Sequence, residues 1–387
     1  MDSSSSSYFK IVLFGLISLL GDVIYEGARS ILPSYLSYLG AGALLIGMIF
    51  GLGEVLNVSL RLFSGVYIDR VGAYWQMFIL GYILIISIPL ISITPILFVV
   101  IILILLERVA KALRTPARDT LLSVISRDIG AGKAFGIHEL LDQIGAIIGP
   151  FFMGLILLIG FSYSFAFSLF YIPFLLLLFL VFYTYSILRD EFSRVFGVSV
   201  GIQSVRGLFS GISSSFKLYS IAVMLNTMGI FHWSLILYKV GIYTTPWFTA
   251  LVYVGIMAVD AVFAFVAGYL YDIYGKPVLL FPFILSALVG VFALYGGYIE
   301  ILISGILFGI VYGMQESVYR AVVPEYVGLD KRGTAYGLFN FTYGVGLLLS
   351  GLIYGFYLEN NMVLGGIIYT LVIQVVAIYM LIRSFSK

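Results

Sequence analysis

Three charged residues interrupt an apolar run near the amino terminus: Asp22, Glu26 and Arg29. Their i, i+4, i+7 spacing places them on one face of a helix. At 1.5 Å per residue, Asp22 falls roughly 18–20 Å along that helix, near the middle of a bilayer. A charge at that depth costs at least a few kcal/mol, so it needs a reason. One reason is chemistry, because a buried carboxyl group can take up and release a proton. The other is packing, with Glu26 and Arg29 neutralising each other. A second stripe, Glu107, Lys111, Arg114 and Arg118, repeats at i, i+4, i+7 and i+11, with Arg108 beside its deepest member. A third pair, Glu139 and Asp142, lies at a depth similar to that of Lys111 and Arg114. Lys111, Arg114, Arg118, Asp119 and Glu139 read as an interhelical ion-pair ladder, in which Lys111 or Arg114 meets Glu139 or Asp142. Asp22 is the candidate proton carrier, with Glu26 behind it, Arg108 as modulator, and Glu107 and Asp142 in the same group. A guanidinium favours the charged form of a nearby carboxyl, and its departure favours the neutral form, which is the physical basis of coupling.

The elements that must hold these groups are membrane helices. The 387 residues are 61% hydrophobic and only 10% charged, and the mean hydropathy is +1.11. Soluble chains carry about 25% charged residues. Apolar runs of about 20 residues, long enough to span a bilayer, follow one another along the chain. Twelve are expected. The first runs from Phe9 to Leu32 and stops at Pro33, the fourth from Pro95 to Ala117, the fifth from Ala134 to Ile159 and the seventh from Phe216 to Tyr238. The expected fold is an all-α membrane protein of twelve transmembrane helices in two pseudo-symmetric six-helix bundles. These cover residues 1–188 and 216–387, joined by a polar linker at 189–215.

A long-period repeat supports the two-bundle reading. Ser64–Gly72 reads S-G-V-Y-I-D-R-V-G, and Ala267–Lys276 reads A-G-Y-L-Y-D-I-Y-G-K. Gly65, Asp69, Arg70 and Gly72 in the first copy, with Asp272 and Gly275 in the second, are candidates for conformational gating. Glu107–Asp119 is echoed by Glu316–Glu325, and Gly132–Gly136 by Gly333–Gly337. With both termini and the linker on the cytoplasmic side, the loop cations Arg70, Lys133, Arg189, Lys276 and Arg383 all fall inside, and Lys239 is the main exception. The expected location is therefore the cell membrane, multi-pass, with both termini cytoplasmic. The apolar run after the Ser-rich tail lacks a small-residue cleavage site and reads as a retained span.

Other classes find little support. There is no Cys, and the two His residues are far apart, so neither a metal site nor a cofactor is expected. Net charge is +2 with no basic patch, which sets nucleic acid aside. No H-E-x-x-H or Walker loop points to an enzyme or an ATP-driven pump. A monomer is expected.

The six-plus-six spans and the G-x-x-x-D-R-x-G loop of Gly65, Asp69, Arg70 and Gly72 resemble the major facilitator superfamily. Where that family continues with basic residues, this chain has Ala73 and Tyr74. The fifth span carries G-A-I-I-G-P-F-F-M-G, Gly145 to Gly154, similar to a pattern linked with exporters, with Met153 in place of one Gly. Gly145, Gly149, Pro150 and Gly154 also have a packing use, since small residues four apart let helices approach. D-x-x-x-E at Asp22 and Glu26 is similar to a poorly characterised prokaryotic branch. The resemblance implies a secondary transporter of a small molecule, working by alternating access and coupled to protons, with export the expected direction. It places Asn226, His232 and Trp233 of the seventh span at the substrate cavity, with Arg29, Gln315 and Glu316 as further candidates. The alternatives are an uncoupled facilitator, an importer, and, from another class, a receptor or membrane enzyme.

Overall fold

In lipid, a spanning segment must satisfy its own backbone hydrogen bonds, and a helix does so within one segment. The computed structural model describes residues 3–126, 130–195, 213–328 and 332–385, and they contain no strand. The side chain of Asp69 and most of the expected linker lie outside the described residues. Twelve helical spans follow in order: α1 (Ser3–Tyr38), α2 (Ala43–Val71), α3 (Tyr74–Ile93), α4 (Leu97–Ile125), α5 (Ala131–Leu158), α6 (Tyr163–Leu169 and Tyr171–Val195), α7 (Ser214–Gly229 and Trp233–Tyr243), α8 (Pro246–Tyr274), α9 (Lys276–Tyr295), α10 (Tyr298–Tyr326), α11 (Arg332–Glu359) and α12 (Val363–Phe385). Among the described residues, eleven are long and apolar enough to cross a bilayer, and α4 departs because of its stripe of charges.

Several boundaries differ from the sequence expectation. Pro33 lies inside α1, which continues to Tyr38, and Pro116 lies inside α4, which continues to Ile125. Proline removes one hydrogen bond, a loss that neighbouring helices compensate in a packed membrane bundle. The seventh span breaks at Ile230–His232, and α6 runs past Leu188 to Val195. Lys239 is no loop residue. It is buried in α7, and its amine donates to the carbonyls of Leu294 (3.3 Å) and Gly296 (3.0 Å) at the end of α9.

The repeat is visible in how helices end. α2 stops at Gly72 and α8 at Gly275, with φ of 70° and 67°. Each glycine N–H bonds back four residues, to Ile68 and Tyr271, at 2.8 Å. The ends of α5 and α11 match too: Gly160 N bonds to Leu157 O and Phe161 N to Ile156 O, while Asn361 N bonds to Leu358 O and Met362 N to Tyr357 O. This is the Schellman arrangement, with a left-handed residue at the turn.

The chain divides into two compact units, Met1–Leu32 with Leu56–Gln203 and Pro33–Val55 with Ser204–Lys387. In the first, Phe14, Phe78, Phe167 and Phe170 are fully buried. In the second, Phe216, Tyr219, Phe283, Tyr319, Phe339 and Leu381 belong to one core. Within that second unit the start of α2 lies against α11: a Cβ on Gly47 would meet the Gly351 backbone, and one on Gly51 would meet Leu348. Large apolar side chains such as Phe98, Ile159, Phe265 and Leu364 are exposed, the surface expected of helices facing lipid.

Candidate functional site

Close helix contacts position the charged groups of the first unit. Gly145 and Gly149 of α5 lie against the carbonyls of Leu19 and Val23 in α1, where a Cβ would collide with backbone. One residue from Leu19 is Ser18, and three from Gly145 is Asp142; the Ser18 hydroxyl donates a short hydrogen bond to the Asp142 carboxylate. On the other side, a Cβ on Gly81 of α3 would come within 2.7 Å of the Arg114 nitrogen and 2.9 Å of the Ala110 carbonyl in α4. That approach brings the Tyr82 ring to 5.5 Å from the Arg114 guanidinium. Pro150 and Gly154 are buried farther along α5. The glycines therefore decide which polar side chains can meet.

Between these contacts lies a cavity of about 60 Å³, lined by Ser18, Gly21, Asp22, Arg61, Tyr82, Lys111, Arg114, Thr115, Arg118 and Asp142. Asp22, Lys111, Arg114 and Asp142 line it together, and Asp142, Lys111, Glu26 and Arg114 act electrostatically on Asp22. Among the described residues, neither the Asp22 carboxylate nor the Lys111 amine makes an ion pair or hydrogen bond. The Lys111 amine sits 4.1 Å from the centre of the Tyr25 ring.

The other deep carboxylates are engaged. Glu26 pairs with Arg29 at 3.3 Å. Glu107 lies 2.8 Å from Arg108 and 3.5 Å from Arg114. Arg118 pairs with Asp119 at 3.0 Å and also donates to Ser18 at 3.0 Å, completing a chain from Arg118 through Ser18 to Asp142. The sequence suggested that Arg114 reaches Glu139 or Asp142 on α5; the carboxylate beside it is Glu107 on its own helix. Glu139 is exposed and accepts from Gln143 at 3.4 Å. His138 is buried near Arg118, Asp142 and Asp119.

Tyr25 is a centre the sequence reading passed over. Its hydroxyl accepts from Arg108 at 2.7 Å, and its ring faces the guanidiniums of Arg108 (4.4 Å) and Arg29 (5.0 Å). Cations are drawn to the face of an aromatic ring. Ser18 and Tyr25 stand four residues before and three after Asp22, so the helical face that marked Asp22 also pointed to them.

In the second unit the candidates meet in a neutral network. Asn226 donates to Gln374 at 2.9 Å and accepts from Gln315 at 3.2 Å and Tyr319 at 2.8 Å. Gln374 also donates to the Asn226 carbonyl at 3.0 Å, and Tyr343 donates to Gln315 at 3.0 Å. His232 caps the second piece of α7 through Nδ1, which meets the Ser234 hydroxyl at 2.8 Å. Trp233 is buried, edge-on to Phe50 at 4.8 Å. Glu316 and Asp272 are exposed, as is Arg70 in the first unit. A Cβ on Gly65 would make only ordinary contact with Pro116, at 3.8 Å. Near Gly275, Lys276 pairs with Glu325 at 3.3 Å, and Tyr271 donates to the same carboxylate. Among the described residues, no group of three or more His, Asp or Glu is placed to hold a metal ion.

The family model of the Major Facilitator Superfamily matches residues 13–351. The chain belongs to this superfamily. It is 34% identical over 379 residues to the uncharacterized protein Rv2265 of Mycobacterium tuberculosis, covering 96% of this chain and 91% of that one. It is 28% identical over 354 residues to MJ1317 of Methanocaldococcus jannaschii, described as an uncharacterized MFS-type transporter, covering 90% and 88%. In fold it is similar to the nucleoside transporter NupG, with a TM-score of 0.70, 15% identity, and 97% and 98% of the two chains covered. It is similar as well to the peptide transporter POT in complex with sulfate, with a TM-score of 0.70, 15% identity, and 100% and 98% covered. At that identity the likeness is one of fold. This Major Facilitator protein is thus a multi-pass membrane transporter.

Proposed function

We propose that the chain is a proton-coupled secondary transporter of a small molecule and that Asp22 carries the proton. The supporting observation is the contrast among the deep carboxylates. Glu26, Glu107 and Asp142 each have a partner, while Asp22 faces a cavity with none among the described residues. A carboxyl group whose cationic neighbours move between two conformations changes its proton affinity, and so loads or releases a proton in each cycle. Lys111 is the neighbour placed to do this, with Arg108 held on Tyr25 and Glu107 behind it. The transporter works as a monomer in the cell membrane with both termini cytoplasmic, alternating access between bundles 1–188 and 216–387 around linker 189–215. Gating falls to the helix ends at Asp69 and Asp272, in the last turns of α2 and α8.

Direction has two readings. The fifth-span run from Gly145 to Gly154 supports export against a proton flux. The excess of cations over carboxylates in the cavity lining supports uptake together with protons.

The test needs no substrate for its first arm. Infrared difference spectra across a pH titration should show a protonated-carboxyl band that Asp22→Asn removes. In proteoliposomes, a radiolabelled panel should accumulate only under a pH gradient, and Asp22→Asn should keep downhill exchange while losing accumulation. A band and an accumulation that both survive Asp22→Asn would pass the role to Glu26 or Asp142, or leave an uncoupled facilitator.

A further inference from the structure

Resting on that reading of the cavity, we propose that it is a binding site for one oxyanion group, a carboxylate or a phosphate, of the transported molecule. Four cations line the cavity, Arg61, Lys111, Arg114 and Arg118, against two carboxylates, Asp22 and Asp142. Two of those arginines are already held, Arg114 by Glu107 and Arg118 by Asp119, and Glu107 is shared with Arg108. Lys111 is the cation with no carboxylate at ion-pair distance among the described residues.

The donors are of the right kind. Arg114 is 4% exposed, and its Nη1 is buried without a hydrogen-bond partner. A buried donor left unpaired is costly, and an oxyanion that reaches it removes that cost. Lys111 and Arg114 are three apart on α4, so their amine and guanidinium reach the cavity from the same helix face. An ammonium and a guanidinium together suit carboxylate and phosphate oxygens, and charge-assisted bonds to such oxygens are the strong ones. Lys111 and Arg114 both line the cavity, so an oxyanion that enters it meets both donors.

The placement of Asp22 then gives the sign of coupling. Asp22 faces Lys111 and Arg114 of α4, Asp142 of α5 and Glu26 of its own helix, with Arg61 of α2 and Tyr82 of α3 in the same lining. A proton on Asp22 removes the negative charge that competes with the anion for Lys111. Each ligand therefore tightens the other by the same factor, and anion and proton load together.

Equilibrium binding to the purified full chain tests this without any gradient, so its failure is separate from failure of the Asp22 titration. The probes are inorganic phosphate and acetate, measured separately by calorimetry against chloride of equal ionic strength. At least one should bind saturably, and which one does identifies the group. Lys111→Gln should weaken that binding by about tenfold or more, while Arg383→Gln, on α12 and not part of the cavity lining, should leave it unchanged. Asp22→Asn should tighten it and flatten its dependence on pH. Absence of saturable binding for both probes would overturn the proposal. So would equal binding by Lys111→Gln, or weaker binding by Asp22→Asn, the arm that decides the matter when Lys111→Gln does not fold.

Discussion

The Arg114 guanidinium lies 3.5 Å from the carboxylate of Glu107, seven residues earlier on α4. Glu107 is 1% exposed and also holds Arg108 at 2.8 Å, so one carboxylate compensates two buried guanidiniums. Removing one partner of a buried ion pair costs about 3–5 kcal/mol, because the charge left behind is uncompensated. Glu107→Gln should therefore lower the thermal midpoint of the purified protein far more than Asp119→Asn, whose carboxylate is half exposed on Arg118. Equal midpoints for the two variants would show that Glu107 is not the central counter-ion.

Gly149 and Gly255 should respond in opposite ways to an added side chain. A Cβ at Gly149 meets the Val23 backbone of α1, whereas a Cβ at Gly255 of α8 meets nothing within 4 Å. Gly149→Val should cost about 1–3 kcal/mol by forcing α5 off α1. Gly255→Ala should be neutral or stabilising by up to about 1 kcal/mol, since it restricts the unfolded chain and suits a helix. Melting curves of both variants check the contrast, and a stable Gly149→Val would refute the close approach.

The turn at Gly275 combines φ of 67° with ψ of −149°, a region that side chains other than glycine's scarcely enter. Gly275→Ala should cost about 1–3 kcal/mol. Gly268→Ala, seven residues earlier in the same repeat, adds a Cβ that meets nothing within 4 Å and should be tolerated. Thermal midpoints of the pair measure this, and the reverse order would mean that the repeat is not kept for its turn.

Asn226 holds three side chains at once, and all of them are amides or phenols. Asn226→Ala leaves Gln374, Gln315 and Tyr319 each short of a partner, at about 1–3 kcal/mol for a buried unsatisfied group. The expected result is a large loss of thermal stability with little change in apparent substrate affinity. A raised KM at an unchanged midpoint would make this network the substrate contact instead.

Much of this protein was legible along the chain because its determinants are local. The apolar runs had to become helices, since lipid offers the backbone no other partner. The repeat around Gly72 and Gly275 had to mark equivalent turns, since both positions require a left-handed glycine. Helical spacing alone put Asp22, Glu26 and Arg29 on one face. What the tertiary structure decided was partnership. Spacing cannot tell whether Arg114 reaches back to Glu107 or across to α5, because both are within the length of its side chain. Nor can it show that Gly145 and Gly149 bring α1 close enough for Ser18 to engage Asp142 while Asp22 is left facing a cavity. The same limit held at Asn226 and Gln315, whose polarity in apolar spans suggested a substrate contact. Their hydrogen bonds close on Gln374, Tyr319 and Tyr343, residues 28 to 148 positions away, and a buried amide settles on whichever donors and acceptors packing brings within about 3 Å.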